Sequence, residues 1–310
     1  MQPETPISAD QILIVTPSYR RDLEPCTLMC ETVDRFVRLD YRHLLVVPGR
    51  DERRFRHLAS PRRTIVSVED YLPVRARRIP VQKERWLLAG LTRATGWIVQ
   101  QLVKIRAAEL AAASGDVRAV AYFDSDICLI QPFTQDHVLQ DNKVRFLREL
   151  ETDRHRHDRN YDKWYRGGCR LLDLPQRGHD GAEYIGPLVT WDPVVAERMC
   201  RRIEAVSGQS WAKAAASQRE PFGFSEYVTY GLFVDRCDAA AQARLVGAPH
   251  SLCHLSTDFD IKSPSGREAF IRSIRPENVA VLIQSNLRLP TEQWRALAKE
   301  LIQQAATTAP

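Results

Sequence analysis

The sequence lacks the features that mark membrane, secreted and metal-framework proteins. No stretch of its 310 residues approaches the roughly 20 consecutive apolar residues that a membrane-spanning helix needs. The first residues, MQPETPISADQ, have neither a cationic start nor an apolar segment, so we expect no signal peptide. The seven cysteines include no Cys-x-x-Cys pair and are odd in number, which favours reduced, buried thiols over a disulfide or zinc framework. We therefore expect a cytoplasmic protein.

No internal repeat, low-complexity segment or clear linker divides the chain, so we expect one domain over residues 1–310. Neither sign of charge dominates, because 44 lysines and arginines stand against 39 acidic residues, a net charge of +5. This balance is compatible with anionic ligands but lacks the concentrated basic surface of a dedicated nucleic-acid-binding protein, and we expect no nucleic-acid partner. The apolar share of 44% is that of a globular chain long enough to bury a substantial core.

Apolar segments alternate with helical patterns in the first third of the chain. QILIVTPSY, HLLVVPG and RTIVSV are typical of buried strands, and apolar residues between positions 22 and 37 recur at helical spacing. This order favours a twisted, mostly parallel sheet that binds ligands at the carboxyl ends of its strands. The cationic stretch 70–93 breaks the pattern. We interpret it as an irregular loop, either a solvated surface or a flap that faces phosphate or acceptor.

From residue 97 onward, the sequence predicts mainly helices. A helix is expected over residues 97–113, before a fourth strand over residues 119–123. Asp192 and Pro193 form the typical start of a helix, with the aspartate as N-cap and the proline at the first position. SEYVTYGLFVDRC is a further predicted helix, with Ser225 as a candidate cap, and TEQWRALAKELIQQA closes the chain as another.

Two aspartates follow the fourth predicted strand in the segment VAYFDSDICLI. Residues two apart on a strand point to the same face, so Asp124 and Asp126 could converge on one ligand. Two like charges at the edge of a core repel each other unless a cation lies between them. Mg²⁺ and Mn²⁺ bind such oxygen ligands and complete their coordination with phosphate oxygens. The alternative is a capped turn whose carboxylates accept hydrogen bonds from backbone amides.

Together with the upstream helix WIVQQLVKIRAAEL, this segment resembles nucleotide-sugar glycosyltransferases of the GT-A fold, including the glycogenin-like branch. The segment FSEYVTYGLFV resembles an uncharacterised bacterial group of such enzymes, and the similarity covers residues 11–255. The resemblance implies an α/β fold with a twisted, Rossmann-like mixed sheet flanked by helices and a helical C-terminal half. Residues 11–130 would be the nucleotide-binding part, and residues 131–310 would be the acceptor-binding part.

The resemblance also implies roles for particular side chains. Asp124 would face the metal and the ribose or sugar, and Asp126 would be the firmer metal ligand. The other donor-site residues would be Thr16, Ser18 and Tyr19 against the base and ribose, Lys104 against a phosphate or the donor sugar, and Gln100 and Gln101 against sugar hydroxyls. For Lys104 and the two glutamines, the alternative is a solvated helix surface.

A histidine late in the chain is the third metal ligand in many enzymes of this fold. The segment GAPHSLCHLS offers His250 and His254, of which we prefer His254, although a lone histidine is more often a structural hydrogen-bonding residue. Glu226, near the start of a predicted helix, would be the general base that deprotonates the acceptor hydroxyl if the reaction inverts the sugar. The alternative is that Glu226 only complements the helix dipole.

The resemblance implies a hexosyltransferase dependent on Mn²⁺ or Mg²⁺ in bacterial glycan or glycoconjugate synthesis. Its donor would be a nucleotide-diphospho sugar, with UDP favoured, and its acceptor a glycan, a lipid-linked glycan or a protein. Peripheral membrane contact is compatible with this expectation. One alternative is a nucleotidyltransferase of similar fold, although TPSYRRD after the first strand lacks the glycine-rich loop that such enzymes usually have. The other is a non-catalytic nucleotide- or carbohydrate-binding module.

Overall fold

The computed structural model describes residues 11–79, 85–88, 92–150, 159–175, 182–218, 223–284 and 290–308. The strands are β1 Gln11–Pro17, β2 Tyr41–Val47, β3 Arg63–Ser67, β4 Ala76–Arg78, β5 Arg85–Leu88, β6 Thr92–Thr95, β7 Val117–Phe123, β8 Ile127–Leu129, β9 Leu139–Gln140, β10 Lys143–Leu147, β11 Glu149–Leu150, β12 Ala182–Glu183, β13 Leu188–Trp191, β14 Leu245–Ala248, β15 Cys253–Leu255 and β16 Ala280–Leu282. The helices are α1 Leu23–Phe36, α2 Gly49–Phe55, α3 Val68–Tyr71, α4 Gly96–Ser114, α5 Arg159–Leu172, α6 Pro193–Ser207, α7 Trp211–Ala216, α8 Glu226–Arg236, α9 Pro264–Arg272 and α10 Thr291–Thr308.

A five-stranded sheet in the order β13-β7-β1-β2-β3 lies at the centre. Strands β7, β1, β2 and β3 are parallel, and β13 runs antiparallel to β7. The parallel strands are largely apolar because helices cover them, with α4 and α6 against β7 and α2 against β3. The predicted α/β class, with a mixed sheet flanked by helices, is confirmed.

Local sequence signals placed several elements correctly. The four predicted strands correspond to β1, β2, β3 and β7, and the predicted helices 22–37 and 97–113 correspond to α1 and α4. The Asp192 carboxylate accepts the backbone N–H groups of Val194 and Val195 at the start of α6. The Ser225 hydroxyl accepts the Val228 N–H at 3.4 Å at the start of α8. Both predicted caps are therefore confirmed.

The prediction of an irregular loop over residues 70–93 is wrong. Strands β4, β5 and β6 form an antiparallel sheet in this stretch, and Trp86 and Leu88 are buried by it. The sequence did not predict these strands because arginines and prolines interrupt the alternation of apolar and polar residues. Lys83, one of the basic residues of this stretch, lies outside the described residues.

The C-terminal half is less helical than expected. Besides α5 to α10 it contains strands β12 to β16. Strand β14 pairs with β10, β16 with β8 and β12 with β11, and these three partners all lie in the first half of the chain. These strands have two to five residues each, too few to show a clear period in the sequence.

All seven cysteines are free, as predicted. In the described part of the chain, no helix is long and apolar enough to cross a membrane.

The strand order changes direction at β1. Strands β2 and β3 follow on one side of β1, whereas β7 lies on its other side. In open α/β sheets, ligands bind outside the carboxyl ends of the strands at such a point. The residues that follow β1 and β7 are therefore where a ligand is expected.

Candidate functional site

A cavity of about 180 Å³ opens at the carboxyl ends of β1, β2 and β3. The strand ends contribute Ser18, Tyr19 and Pro48, and β4, β5 and α4 contribute Arg78, Trp86, Trp97 and Gln100. The Arg78 guanidinium lies 5.9 Å from the centre of the Trp86 ring. Aromatic walls beside a cation suit a flat ring that carries an anionic group.

Asp124 and Asp126 follow β7, the strand next to β1 in the sheet. The Asp124 N–H donates to the Pro187 carbonyl at 2.9 Å, and the Ile283 N–H donates to the Asp126 carbonyl at 3.3 Å. These bonds fix the backbone of the turn on two sides. The Asp124 side chain is 39% exposed and so faces outward. The two aspartates therefore lie at the edge where the topology places a ligand.

Lys104 of α4 lies against Asp124 inside the protein. Its Nζ is 2.9 Å from the Tyr227 hydroxyl, 3.1 Å from Glu226 Oε1 and 3.4 Å from Asp124 Oδ1. Burial disfavours the ammonium charge, but the interactions with Tyr227, Asp124 and Glu226 outweigh burial and raise the pKa of Lys104 well above its usual value. Lys104 is therefore a buried cation that holds Asp124 and Glu226 together.

Glu226 is the first residue of α8, and its side chain is 3% exposed. Burial raises the pKa of its carboxyl above the usual value, although the charge of Lys104 opposes the shift. The Glu226 N–H donates to Gln101 Oε1 at 2.9 Å, which joins the start of α8 to α4. In this structure the carboxylate is covered and paired with Lys104.

The structure assigns Thr16 and Gln101 to internal contacts. Thr16 is buried, and its hydroxyl lies 3.1 Å from His43 Nε2. His43 Nδ1 accepts a hydrogen bond from Arg63, so Nε2 carries the proton and donates to Thr16. Thr16 therefore does not line the cavity, because its side chain turns toward β2. Gln101 is likewise buried between α4 and α8, whereas Gln100 reaches the cavity wall.

His254, the predicted third metal ligand, makes contacts with Ser273 and Phe270. His254 Nε2 lies 2.8 Å from the Ser273 hydroxyl, and its ring stacks on Phe270 with 5.1 Å between centroids. Strand β16 separates β15, which carries His254, from β8, which follows Asp126. Among the described residues, no group of three or more His, Cys, Asp and Glu side chains is placed to hold a metal ion.

His250 and His254 instead line a second cavity, of about 500 Å³. Its other polar lining residues include Glu149, Ser251, Arg275 and Asn278. Cys253 also lines this cavity. Burial, then the charges of Asp124 and Asp126, raise the pKa of the Cys253 thiol. Cys253 and His254 lie on β15, which only β16 separates from β8, the strand directly after Asp126, so the second cavity lies near the aspartates.

Several residues of this arrangement were not predicted from the sequence. Tyr227 bonds to Lys104 but has no pattern of its own beyond its place next to Glu226. Trp86 and Arg78 lie in the stretch that was interpreted as a loop, so only the cationic character of that stretch pointed to them. Trp97 is the first residue of the predicted helix. The sequence could have indicated it, as an aromatic residue at the carboxyl edge of the sheet.

Three comparisons with known proteins complete the description. Residues 9–263 match a family described as "Family of unknown function (DUF6492)". No curated protein gives a significant match. Among solved structures, a crystal structure of an active-site mutant of LgtC matches with a TM-score of 0.48 and 13% identity, covering 96% of this chain and 97% of that chain. Similarity at this level assigns no activity.

Proposed function

This chain belongs to the DUF6492 family, whose function is unknown, and we propose that it is a metal-dependent glycosyltransferase with a nucleotide-diphospho sugar as donor. One observation carries the proposal. Asp124 and Asp126 lie at the change of strand direction, with an aromatic cavity at the neighbouring strand ends and a larger polar cavity nearby. This arrangement suits a reaction that joins an anionic donor to a polar acceptor.

The donor's base and ribose are proposed to bind the aromatic cavity, against Tyr19, Trp86 and Trp97. Ser18 and Gln100 offer hydrogen bonds there. The cavity is small, which favours a one-ring base and thus a UDP-type donor. The diphosphate would extend from the cavity toward the end of β7, where Asp124 lies.

The chemistry of Asp124 and Asp126 fits a divalent cation. Their oxygens are hard ligands, and the Asp124 carboxylate is partly exposed. Mg²⁺ needs only one or two protein carboxylates, because it keeps several waters and binds substrate phosphates. Asp124 and Asp126 would hold Mg²⁺ or Mn²⁺ without a histidine. The bound cation would neutralise charge on the departing nucleoside diphosphate.

Lys104 is proposed to position Asp124 rather than to bind a donor phosphate. Its ammonium group is buried and is already paired with the carboxylates of Glu226 and Asp124. Glu226 as general base stays a prediction. Its raised pKa is in the direction that a base at neutral pH needs, whereas its burial and its pairing with Lys104 oppose that role.

The acceptor is proposed to be a glycan that binds the second cavity. His250 and Ser251 offer polar groups there, and Leu150, which is 56% exposed, offers an apolar surface for a sugar ring. Polar groups that fix orientation beside such a surface are typical of small-ligand sites.

Hydrolysis of nucleotide sugars tests the proposed function. A panel of UDP-, GDP-, ADP- and CMP-sugars would be incubated with Mn²⁺, and the nucleotide product identified by chromatography. We expect release of a nucleoside diphosphate that stops on chelation and with Asp124→Asn, but continues with Arg201→Ala, a surface control. Release that persists under chelation would contradict the proposal. Formation of pyrophosphate from a nucleoside triphosphate and a sugar phosphate would instead support a nucleotidyltransferase.

A further inference from the structure

Helix α2 and the turns after it expose a concentration of positive charge. Residues 49–62 contain five exposed arginines, here called the α2 arginine patch: Arg50, Arg53, Arg54, Arg56 and Arg62. The first three occupy positions i, i+3 and i+4 of α2 and so share one helix face. Asp51 and Phe55, four residues apart, are buried on another face. The amphipathic spacing therefore fixes which side of α2 the arginines occupy.

Most of this charge is not neutralised by the protein. The Arg50 Nε lies 3.6 Å from its neighbour Asp51, and the Arg62 guanidinium lies 5.2 Å from the centre of the Tyr41 ring. Within the part of the chain that the structure describes, Arg53, Arg54 and Arg56 pair with no acidic side chain. The patch thus presents at least three unpaired guanidinium groups to solvent.

Helix stability does not account for the patch. Arg53 and Arg54 lie in the last turn of α2, where cations complement the helix dipole. Arg50, however, lies in the first turn, where a positive charge is unfavourable. Like charges at these spacings also repel each other. The fold gains little from the arrangement, which points to a partner outside the chain.

The patch borders the donor cavity. Pro48 lines that cavity and is also the N-cap residue of α2. The exposed Arg20 extends the charge toward β1, because its backbone N–H donates to Asp51 Oδ2 at 3.3 Å. The N-terminal end of the patch therefore lies next to the candidate site, whereas Arg62, directly before β3, lies at the opposite edge of the sheet.

We propose that the α2 arginine patch docks the protein on an anionic lipid bilayer through electrostatic attraction, without insertion. The proposal goes beyond the activity proposed above and does not depend on it. Clusters of about four to eight lysines and arginines on a helix surface are typical of binding to anionic lipid headgroups. The size of the patch lies in that range.

A nucleic acid is a poorer fit to this surface. Single-stranded binding sites combine basic residues with aromatic side chains on which bases stack. In the described residues, the large apolar side chains that are exposed are Leu110 and Leu150, neither of which lies in the patch. A headgroup layer needs only the charge, and the lack of an apolar anchor predicts reversible, salt-sensitive binding.

Vesicle sedimentation tests the proposal with the full chain. We expect binding to phosphatidylcholine vesicles that contain phosphatidylglycerol and not to phosphatidylcholine alone. Binding should be lost at about 1 M NaCl, where the screening length falls to about 3 Å. The variant Arg53→Ala/Arg54→Ala/Arg56→Ala should bind about 100-fold more weakly, since each arginine near an anionic surface contributes about five-fold.

A charge-matched control removes three exposed cations elsewhere, as Arg201→Ala/Lys262→Ala/Arg272→Ala. It should bind anionic vesicles like the unmodified protein, and both variants should unfold thermally like it, since all six side chains are exposed. Equal binding to neutral vesicles would overturn the proposal, as would equal weakening by the control. A preference for a single-stranded oligonucleotide over anionic vesicles, lost in the α2 variant, would replace the lipid with nucleic acid.

Discussion

At Lys104, three side chains from two distant segments meet one ammonium group. Tyr227 and Glu226 come from the start of α8, and Asp124 follows β7. A buried lysine is costly to desolvate unless an opposite charge lies close to it. Glu226, equally buried at 3.1 Å, supplies that charge, whereas the exposure of Asp124 to solvent weakens the second pair.

This burial predicts that Lys104→Met destabilises the fold, contrary to the expectation for a surface ligand of the donor. Losing one partner of a buried pair costs about 3–5 kcal/mol, because Glu226 would remain as an uncompensated buried charge. The double variant Lys104→Met/Glu226→Gln should recover much of that loss. Urea unfolding of both single variants and the double variant measures the coupling. Additive losses would show that the two charges do not support each other.

At this scale, the sequence indicated residues whose chemistry is visible in a short segment. Asp124 and Asp126 were identified by two carboxylates at the end of an apolar strand. Thr16 was misplaced because the sequence does not show which neighbour a strand residue faces, and here that neighbour is His43. Tyr227 was missed because its contact with Lys104 joins positions that lie 123 residues apart.

At the scale of elements, close packing of α8 sets the position of Glu226 and Tyr227. A Cβ at Gly231 would lie 2.3 Å from Tyr184 Cγ, closer than atoms can approach. The Tyr184 ring is buried, and its hydroxyl donates to Asp235 Oδ2 at 2.7 Å, so the ring has little freedom to shift. Helix α8 can therefore approach the chain between β12 and β13 only with glycine at this position.

Gly231→Ala should lower the free energy of unfolding by about 1–3 kcal/mol, because the added methyl group overpacks the contact with Tyr184. Helix propensity alone predicts the opposite sign, a gain of about 1 kcal/mol. Gly247→Ala is the control, since a Cβ there meets no atom within 4 Å. Chemical denaturation distinguishes the two effects. A stabilised Gly231→Ala protein would show that α8 is not packed as described.

Elements were predictable where local signals were long or chemically distinct. Helices α1 and α4 show helical spacing over several turns, and α6 and α8 have caps that the sequence marks with Asp192 and Ser225. Strands β8 to β16 have two to five residues, so their pairing depends on contacts with distant segments. Strands β4 to β6 were hidden by the arginines around them.

At the scale of the whole molecule, the class of the fold could be predicted, but the assembly of the site could not. Alternating strands and helices predict a parallel sheet with ligands at the carboxyl edge. Tertiary packing decides which strands become neighbours. It also decides where the segment after β14, which contains His254, lies in the fold. That packing places the His254 ring against Phe270 and its Nε2 beside the Ser273 hydroxyl.

Calorimetry of UDP binding, with Mn²⁺ present and then chelated, tests the central claim most directly. Lys104 already balances the charge of Asp124 in the free protein, and Asp126 is partly exposed, so Asp126→Ala should leave the melting temperature of the free protein nearly unchanged. The same variant should bind UDP weakly whether or not Mn²⁺ is present, whereas the unmodified protein should bind it tightly only with the metal. UDP binding that is equally tight after chelation, and equally tight in Asp126→Ala, would contradict a metal-assisted donor site at these aspartates.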